Sequence, residues 1–180
     1  METVLIQYIL LNDRFTKKYS PIILFRDQLV SLKRNKIYVI HTATTSEARK
    51  ANILGGHVFG IDTITPKKVT FFDSYGRFAS LPYTRLKQIV KKYADNHHFE
   101  ANTFRYQDGK STICAHLTIY FLLLRARGYT LTDIQRDKFS TIENNLIAIP
   151  SIIESLLPPS IQKKRKKKTV INNKLAISHD

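Results

Sequence analysis

Hydrophobic residues in the middle of the chain cluster in short runs rich in β-branched and aromatic side chains, a pattern typical of β-strands. Residues 36–45, 58–62 and 69–73 are the three clearest runs, and each is predicted to form a strand. Residues 65–68 (TPKK) separate the last two runs and are predicted to form a turn. The second and third strands are therefore expected to pair as an antiparallel hairpin.

Other segments repeat apolar residues every three or four positions, which indicates helices. Residues 82–94 show this periodicity, and residues 113–127 are apolar nearly all round, which predicts a buried central helix. Residues 140–143 (STIE) resemble a capping box that opens a short helix, which Pro150 is expected to interrupt, and residues 151–157 form a last predicted helix. The order of elements predicts an α+β fold, with a central mixed or antiparallel β-sheet flanked by helices.

The chain is strongly basic. Its 180 residues include 29 Lys and Arg and 14 Asp and Glu, which gives a net charge of +15. Such a protein is expected to bind polyanions, above all nucleic acid. Six of the cations form one block after a double proline, and we expect this block to contact DNA: Lys163, Lys164, Arg165, Lys166, Lys167 and Lys168. Like charges repel into an extended coil, so residues 1–158 are predicted to be one domain and residues 159–180 a basic, disordered tail. Nuclear targeting remains an alternative role for the tail.

Several classes of protein do not fit the sequence. The single cysteine, Cys114, excludes an internal disulfide and fits a reducing compartment. The longest apolar runs are too short to span a bilayer, and the N-terminus lacks the features of a secretory signal. No His, Cys or Asp cluster has metal-ligand spacing. A secreted, membrane-spanning or metal-dependent protein is therefore not expected.

Cys114 lies where a thiol can act as a nucleophile. It is expected at the start of the buried helix, where the helix dipole and unpaired N–H groups stabilise a thiolate. Residues 107–112 before it are polar and turn-forming, so the thiol could face a cleft. A lone buried cysteine is more often a small hydrophobic residue, so this hypothesis needs a base and an acid.

His57 is the histidine best placed to be that base. It follows Gly55-Gly56 at the start of a predicted strand, and the glycines are expected to relieve backbone crowding beside the ring. His116 lies on another face of the nucleophile's helix and cannot serve. A histidine satisfied within a strand is the simpler interpretation if no partner lies nearby.

Asp73 and Gln107 complete the candidate site. Asp73 ends the third strand, so the hairpin should bring it beside His57, where a carboxylate can orient the imidazole and stabilise the imidazolium. Asp62 is the rival acid, but it lies nearer the turn. The Gln107 side-chain amide and the Cys114 N–H could together form an oxyanion hole.

The order His57, Asp73, Gln107, Cys114 resembles the adenovirus-protease-like (adenain-like) cysteine endopeptidases, in a clan that also holds SUMO-type deconjugating proteases. The matching stretches are GGHVF around the histidine, FFDSYG around the acid, and a glutamine seven positions before the cysteine. The resemblance extends over about residues 38–127. It implies an adenain-like fold in which the nucleophile begins the central helix.

Three departures from the family pattern bear on function. Val58 stands where the family has Trp, and Ala115 follows the nucleophile where Gly is common. Adenoviral enzymes often carry Glu at the acid position, whereas Asp73 is closer to the SUMO-type branch. Some adenoviral enzymes are activated by a disulfide-linked viral peptide, but here Cys114 is the only cysteine. Any activator, whether DNA or a viral peptide, is therefore expected to bind noncovalently, and no metal or coenzyme is expected.

The resemblance implies a viral or virus-like-element endopeptidase that processes capsid or core precursors near Gly-Gly or Gly-X sites. We expect a monomer that binds DNA without sequence preference, associates with no membrane, and works in the virion and host nucleus or another reducing compartment. One alternative is a SUMO- or ubiquitin-like isopeptidase with the same chemistry. The other is a non-enzymatic, basic nucleic-acid-binding protein, which leaves the four-residue constellation unexplained.

Overall fold

The protein is represented by a computed structural model, which describes residues 3–51, 56–95, 97–139 and 141–162. Helices and strands are mixed along the chain, with the strands in the first two thirds and three helices in succession at the end. In chain order the elements are α1 Thr3–Asn12, β1 Ile22–Phe25, β2 Ile37–His41, α2 Thr45–Ala51, β3 Val58–Asp62, β4 Lys68–Phe72, α3 Thr84–Ala94, β5 His98–Ala101, α4 Cys114–Ala126, α5 Leu131–Asp137 and α6 Ile142–Ser155.

The five strands form one mixed sheet in the order β1-β2-β3-β4-β5. The two outer pairs, β1 with β2 and β4 with β5, are parallel, and the inner pairs are antiparallel. The predicted hairpin is confirmed: β3 and β4 are antiparallel, with Gly60 opposite Phe72 and Asp62 opposite Thr70. The α+β class predicted from the sequence is also confirmed.

Helices cover both faces of the sheet, so the fold has three layers. Alternate residues of β2 enter different cores: Ile37 and Val39 join the cluster beneath α1, α4 and α6, and Tyr38 and Ile40 join the cluster beneath α3. Burial on both faces explains why β2 and β3 are apolar along nearly their whole length. The sheet is therefore held rigidly between two cores.

Helix α4 is the central helix that the sequence predicts, and it begins at Cys114. It packs directly on β3, where Gly60 makes the close approach possible, because a Cβ there would lie 3.2 Å from Thr118 Cγ2. The helix ends before Gly128, whose φ of +92° is favourable for glycine. Gly128 therefore terminates the helix.

Two predictions about the last helix are wrong. Pro150 does not interrupt it, because α6 runs through the proline and buries Ile149 and Ile153 on either side. Packing of these two residues offsets the backbone hydrogen bond that the proline removes. The N-cap is Thr141, whose side chain accepts from the Asn144 N–H, so the helix starts one residue later than the predicted capping box.

Residues beyond the predicted domain boundary at 158 are also packed. Residues 159–162 form a helical turn, and Ile161 contacts the core beneath α4. The basic block at 163–168 lies outside the described residues. No helix in the described ranges has the length and apolar character needed to cross a membrane.

Candidate active site

The open end of the β3–β4 hairpin brings His57 and Asp73 together, as the sequence predicts. Each residue lies just outside its strand, and the antiparallel register places both at the end opposite the turn. The His57 Nε2 and Asp73 Oδ1 atoms are 2.5 Å apart. The carboxylate is fully buried and the imidazole is 15% exposed, so the histidine connects the buried acid to the surface.

Asp73 is fixed by its own turn. Its carboxylate accepts from the backbone N–H groups of Tyr75 and Arg77, at 3.0 and 3.3 Å, and from the Arg77 Nε at 3.3 Å. The Asn102 side chain braces the backbone, accepting from the Asp73 N–H and donating to the Asp73 carbonyl. An acid held by so many donors can present one oxygen to His57 in a single geometry.

Cys114 faces the same cleft from the first position of α4. Its Sγ lies 3.7 Å from the Gly56 carbonyl oxygen and interacts with the His57 ring. Since Nε2 of His57 faces Asp73, the other ring nitrogen is the one available to the thiol. Cysteine, imidazole and carboxylate therefore form one line, which opens on a cleft of about 290 Å³.

The electrostatics of this line favour a thiolate–imidazolium pair. Burial alone raises the pKa of Cys114, but hydrogen bonding and charge from His57, and the Val58 and Ala115 N–H groups, outweigh it and lower that pKa. Burial likewise opposes protonation of His57, yet contacts with Asp73 and Cys114 raise its pKa above the usual value. The pKa of Asp73 is lowered: burial opposes this, and the hydrogen bond and charge of His57 prevail. All three shifts stabilise the charged forms.

Gln107 also lines the cleft, as the proposed oxyanion hole requires. Its side chain is 1% exposed, and its Oε1 has no hydrogen-bond partner among the residues that the structure describes. The first N–H groups of α4, including that of Cys114, have no partner within the helix. A side-chain amide and a helix N-terminus thus border the space beside Sγ.

Asp62, the rival acid, is not part of the site. It lies at the turn end of the hairpin, where Arg125 donates to it over 2.8 Å from Nε and 3.3 Å from Nη2. Burial raises the pKa of Asp62, and the charge and hydrogen bond of Arg125 oppose the rise. These contacts place Asp73 beside His57 and Asp62 beside Arg125, and the choice of Asp73 as the catalytic acid stays a prediction.

The reason for glycine before His57 differs from the one expected. A Cβ at Gly56 would meet only Thr42 Oγ1, at 3.7 Å, so no crowding needs to be relieved. Its φ of +148° requires glycine instead. Gly55 lies outside the described residues, so its predicted role stays a prediction.

Residues near the site that the sequence did not single out are Tyr75, Arg77, Asn102 and His41. His41 ends β2 and lines the cleft, and its Nε2 lies 3.2 Å from the Thr3 Oγ1 of α1. Burial lowers the pKa of His41, which favours a neutral ring. The FFDSYGR motif held a signal for Tyr75 and Arg77, because residues two and four positions after a carboxylate can donate back to it.

No group of His, Cys, Asp and Glu in the described ranges is arranged to hold a metal ion. The cations Lys163, Lys164, Arg165, Lys166, Lys167 and Lys168 are outside those ranges, so their predicted DNA contact stays a prediction. The chemistry that the described residues offer is that of an activated thiol.

No protein-family model matches the chain, and no curated protein matches it. Among solved structures it is similar to ChlaDub1 from Chlamydia trachomatis, with 16% identity, 68% of this chain and 64% of that chain covered, and a TM-score of 0.46. It is also similar to the ASFV pS273R protease, with 16% identity, 81% and 65% coverage, and a TM-score of 0.45. The chain spans just under two thirds of the length of each. Identity this low does not transfer an activity, so the function is inferred from the site.

Proposed function

We propose that the protein is a cysteine peptidase in which Cys114 is the nucleophile, His57 the general base and acid, and Asp73 the residue that orients His57. The observation that supports this is the line Asp73–His57–Cys114, which ends in a cleft that Gln107 also borders. A structural cysteine needs neither a buried ion pair beside it nor an opening to solvent.

In the first half of the reaction, the Cys114 thiolate attacks the carbonyl carbon of the scissile peptide. The oxyanion that forms accepts hydrogen bonds from the Cys114 N–H and the Gln107 side-chain amide. The His57 imidazolium then gives its proton to the leaving amine nitrogen, the C–N bond breaks, and a thioester to Cys114 remains.

In the second half, neutral His57 removes a proton from water, and the resulting hydroxide attacks the thioester carbonyl. The C–S bond breaks, the acid product leaves, and the thiolate–imidazolium pair is restored. Asp73 keeps its charge throughout, because its role is to hold the ring and stabilise the imidazolium.

The substrates that we propose are viral capsid or core precursors, cleaved near Gly-Gly or Gly-X. An isopeptidase acting on SUMO- or ubiquitin-like proteins would use the same four residues. The two functions differ in the docking partner, so activity-based probes can separate them.

The first experiment treats the protein with a Gly-Gly vinyl sulfone, and in parallel with probes made from whole ubiquitin and SUMO. We expect a single adduct on Cys114, located by mass, and none in Cys114→Ala or His57→Ala. His98→Ala is the matched control, because His98 is exposed at the far end of the sheet. Equal labelling of the wild type and His57→Ala would contradict the mechanism, and labelling by the ubiquitin or SUMO probe alone would favour the isopeptidase.

We also propose that the protein is held on DNA while it works in the virion and host nucleus. What supports this is a basic surface at the turn end of the hairpin, opposite the cleft. Two hydrogen bonds join the loops at this end of the hairpin. Thr63 Oγ1 donates to the Lys33 carbonyl of the loop before β2, and the His98 N–H donates to the Lys67 carbonyl of the β3–β4 turn. The acids Asp62 and Glu100 are already paired, with Arg125 and Lys68. The cations of these loops are Lys33, Arg34, Lys36 and Lys67, and the last turn of α3, which leads to His98, adds Lys91 and Lys92.

Binding to a random duplex, measured by fluorescence anisotropy over a salt series, tests this proposal. A charge-reversal variant carries Glu in place of Lys33, Arg34 and Lys67. The slope of log K against log[salt] should become less steep in this variant, by about 0.9 for each phosphate that is no longer neutralised. Equal reversal of Arg49, Lys50 and Lys110, which are exposed elsewhere, is the control. Deleting residues 163–180, which spares the packed Ile161, measures the tail separately. If neither the surface nor the tail changes the slope, DNA tethering is wrong and the peptidase proposal is unaffected.

A further inference from the structure

Tyr75 contacts the catalytic line without having a role in the mechanism above. Its ring lines the cleft and lies 4.9 Å from the His57 ring, centroid to centroid, with a tilt of 41°. On another side the His57 ring meets Phe59 edge-on at 5.1 Å. Two aromatic rings therefore contact the imidazole, and of these two only Tyr75 belongs to the turn that carries the acid.

Two arginines hold the Tyr75 ring. The guanidinium of Arg77 lies 4.1 Å from the ring centroid, and that of Arg105 lies 5.6 Å from it. Each arginine is also tied to the site, because Arg77 Nε donates to Asp73 and Arg105 Nε donates to the Gln107 carbonyl over 2.7 Å. Stacking against guanidinium groups is favourable and restricts the ring.

We propose that Tyr75 is a positioning residue, held by Arg77 and Arg105, whose ring keeps His57 in the rotamer that faces Asp73 and Cys114 at once. The proposal rests on the proposed peptidase function. The physical reason is that a histidine side chain has two torsion angles, χ1 and χ2. The hydrogen bond to Asp73 alone does not fix the rotation of the ring about the Cβ–Cγ bond. The tilted Tyr75 ring, packed against the imidazole, restricts that rotation.

Loss of the ring has a predictable sign. When His57 turns away, Cys114 loses the partner that lowers its pKa, and His57 loses the partners that raise its own. Both pKa values then move back towards their ordinary ranges, so the thiol pKa rises and the imidazole pKa falls. The pH range in which the ion pair exists becomes narrower from both sides.

The test measures the rate at which iodoacetamide alkylates the protein as a function of pH. Cys114 is the only cysteine, so the rate reports its thiolate alone and needs no peptidase activity. In Tyr75→Ala we expect the thiol titration to move to higher pH, with a rate below neutral pH that is roughly tenfold lower. Tyr75→Phe keeps the ring and should match the wild type.

Tyr83→Ala is the matched control. Tyr83 is also partly buried and lies under a guanidinium, that of Arg26 at 4.9 Å, but its ring packs on Phe59 and not on His57. An unchanged titration in Tyr75→Ala, or an equal shift in Tyr83→Ala, would overturn the proposal. Failure of the Gly-Gly, ubiquitin and SUMO probes alike, alongside a shifted titration, would instead reject the proposed function and keep the positioning role.

A double-mutant cycle tests the arginine contact, and Tyr75→Leu, which keeps an apolar side chain without the ring, replaces Tyr75→Ala as the ring-free background if Tyr75→Ala does not fold. Arg105→Gln should slow alkylation when Tyr75 or Phe occupies position 75, and should have less effect when the ring is absent. Equal effects of Arg105→Gln in both backgrounds would show that Arg105 acts only through the Gln107 carbonyl. The proposed role of Arg105 in holding the Tyr75 ring would then be wrong.

Discussion

The two ends of the β3–β4 hairpin each hold a buried carboxylate paired with a cation, and they differ in the identity of that cation. At the open end Asp73 faces His57, which can lose its proton and reaches the cleft. At the turn end Asp62 faces Arg125, which keeps its charge and is 4% exposed. The same type of pair is therefore available for proton transfer at one end and serves structure at the other.

The surroundings reinforce this difference. Arg125 also donates to the Tyr129 carbonyl and to Thr70 Oγ1, so its guanidinium is saturated within the protein. The His57 ring meets a protein carboxylate on one side and, on the other, a nucleophile that substrate can reach. At the reactive end, one partner of the histidine is a thiol that substrate can reach. At the structural end, the partners of the arginine are all groups of the protein itself.

The largest effect that separates the two ends should come from removing each negative charge. Asp73→Asn should lower kcat for a Gly-Gly peptide by roughly 10²- to 10⁴-fold, because Asn can accept a hydrogen bond but cannot stabilise the imidazolium. Asp62→Asn should leave kcat nearly unchanged at temperatures where the protein is folded. Steady-state kinetics with circular dichroism decides the matter, and a larger loss in Asp62→Asn would mean that the acid has been misassigned.

The reverse contrast is expected for stability. Arg125→Met leaves the Asp62 carboxylate buried without a cation and should cost about 3–5 kcal/mol in the free energy of unfolding. Arg77→Met removes a half-exposed partner of Asp73 and should cost about 1 kcal/mol or less. Urea unfolding measures both. The double variant Asp62→Leu/Arg125→Met should recover part of the loss, and no recovery would argue against a charge effect.

The pH dependence gives a smaller effect at the open end alone. The acid limb of kcat/KM should follow ionisation of Cys114, below the usual thiol range, and the alkaline limb should follow His57, above the usual imidazole range. Asp73→Asn removes a group that raises the pKa of His57, so the alkaline limb should move to lower pH. Asp62→Asn should move neither limb. A profile without any alkaline limb above the usual imidazole range would contradict the ion-pair assignment.

A packing effect that leaves both ion pairs intact is expected midway between the two ends, where β3 touches α4. Gly60→Ala places a methyl group 3.2 Å from Thr118 Cγ2 and should cost about 1–3 kcal/mol through overpacking. Thr118→Ser removes that methyl group and should restore most of the stability in the Gly60→Ala background. Thermal unfolding checks the pair. An additive loss in the double variant would show that the contact is not the cause.

The central part of the fold could be predicted because local signals and tertiary structure agree there. The β3–β4 hairpin has β-branched and aromatic strands around a turn sequence, and α4 is apolar all round with Gly128 after it. The site followed from that hairpin, since the register alone places His57 beside Asp73. Sequence was sufficient wherever one pairing register determined the geometry.

The rest depends on contacts that sequence periodicity does not reveal. Strands β1 and β5 have only four residues each and are held by parallel pairing to β2 and β4, so their local pattern is weak. Pro150 is tolerated because its neighbours are buried, which is a property of the packed helix. The Tyr75 ring also contacts Arg105, thirty positions later in the chain, and no local pattern predicts a contact over that separation.

Helix α4 joins the two ends of the hairpin, because it begins with Cys114 and carries Arg125 in its last turn. At a rise of about 1.5 Å per residue, the two residues lie roughly 16 Å apart on one rigid rod. Cys114 therefore cannot become displaced while the Arg125–Asp62 pair stays intact, and that pair cannot break while Cys114 stays in place. On heating, we expect inactivation and unfolding to occur in the same cooperative transition, with no temperature range in which a folded protein has already lost its reactive thiol.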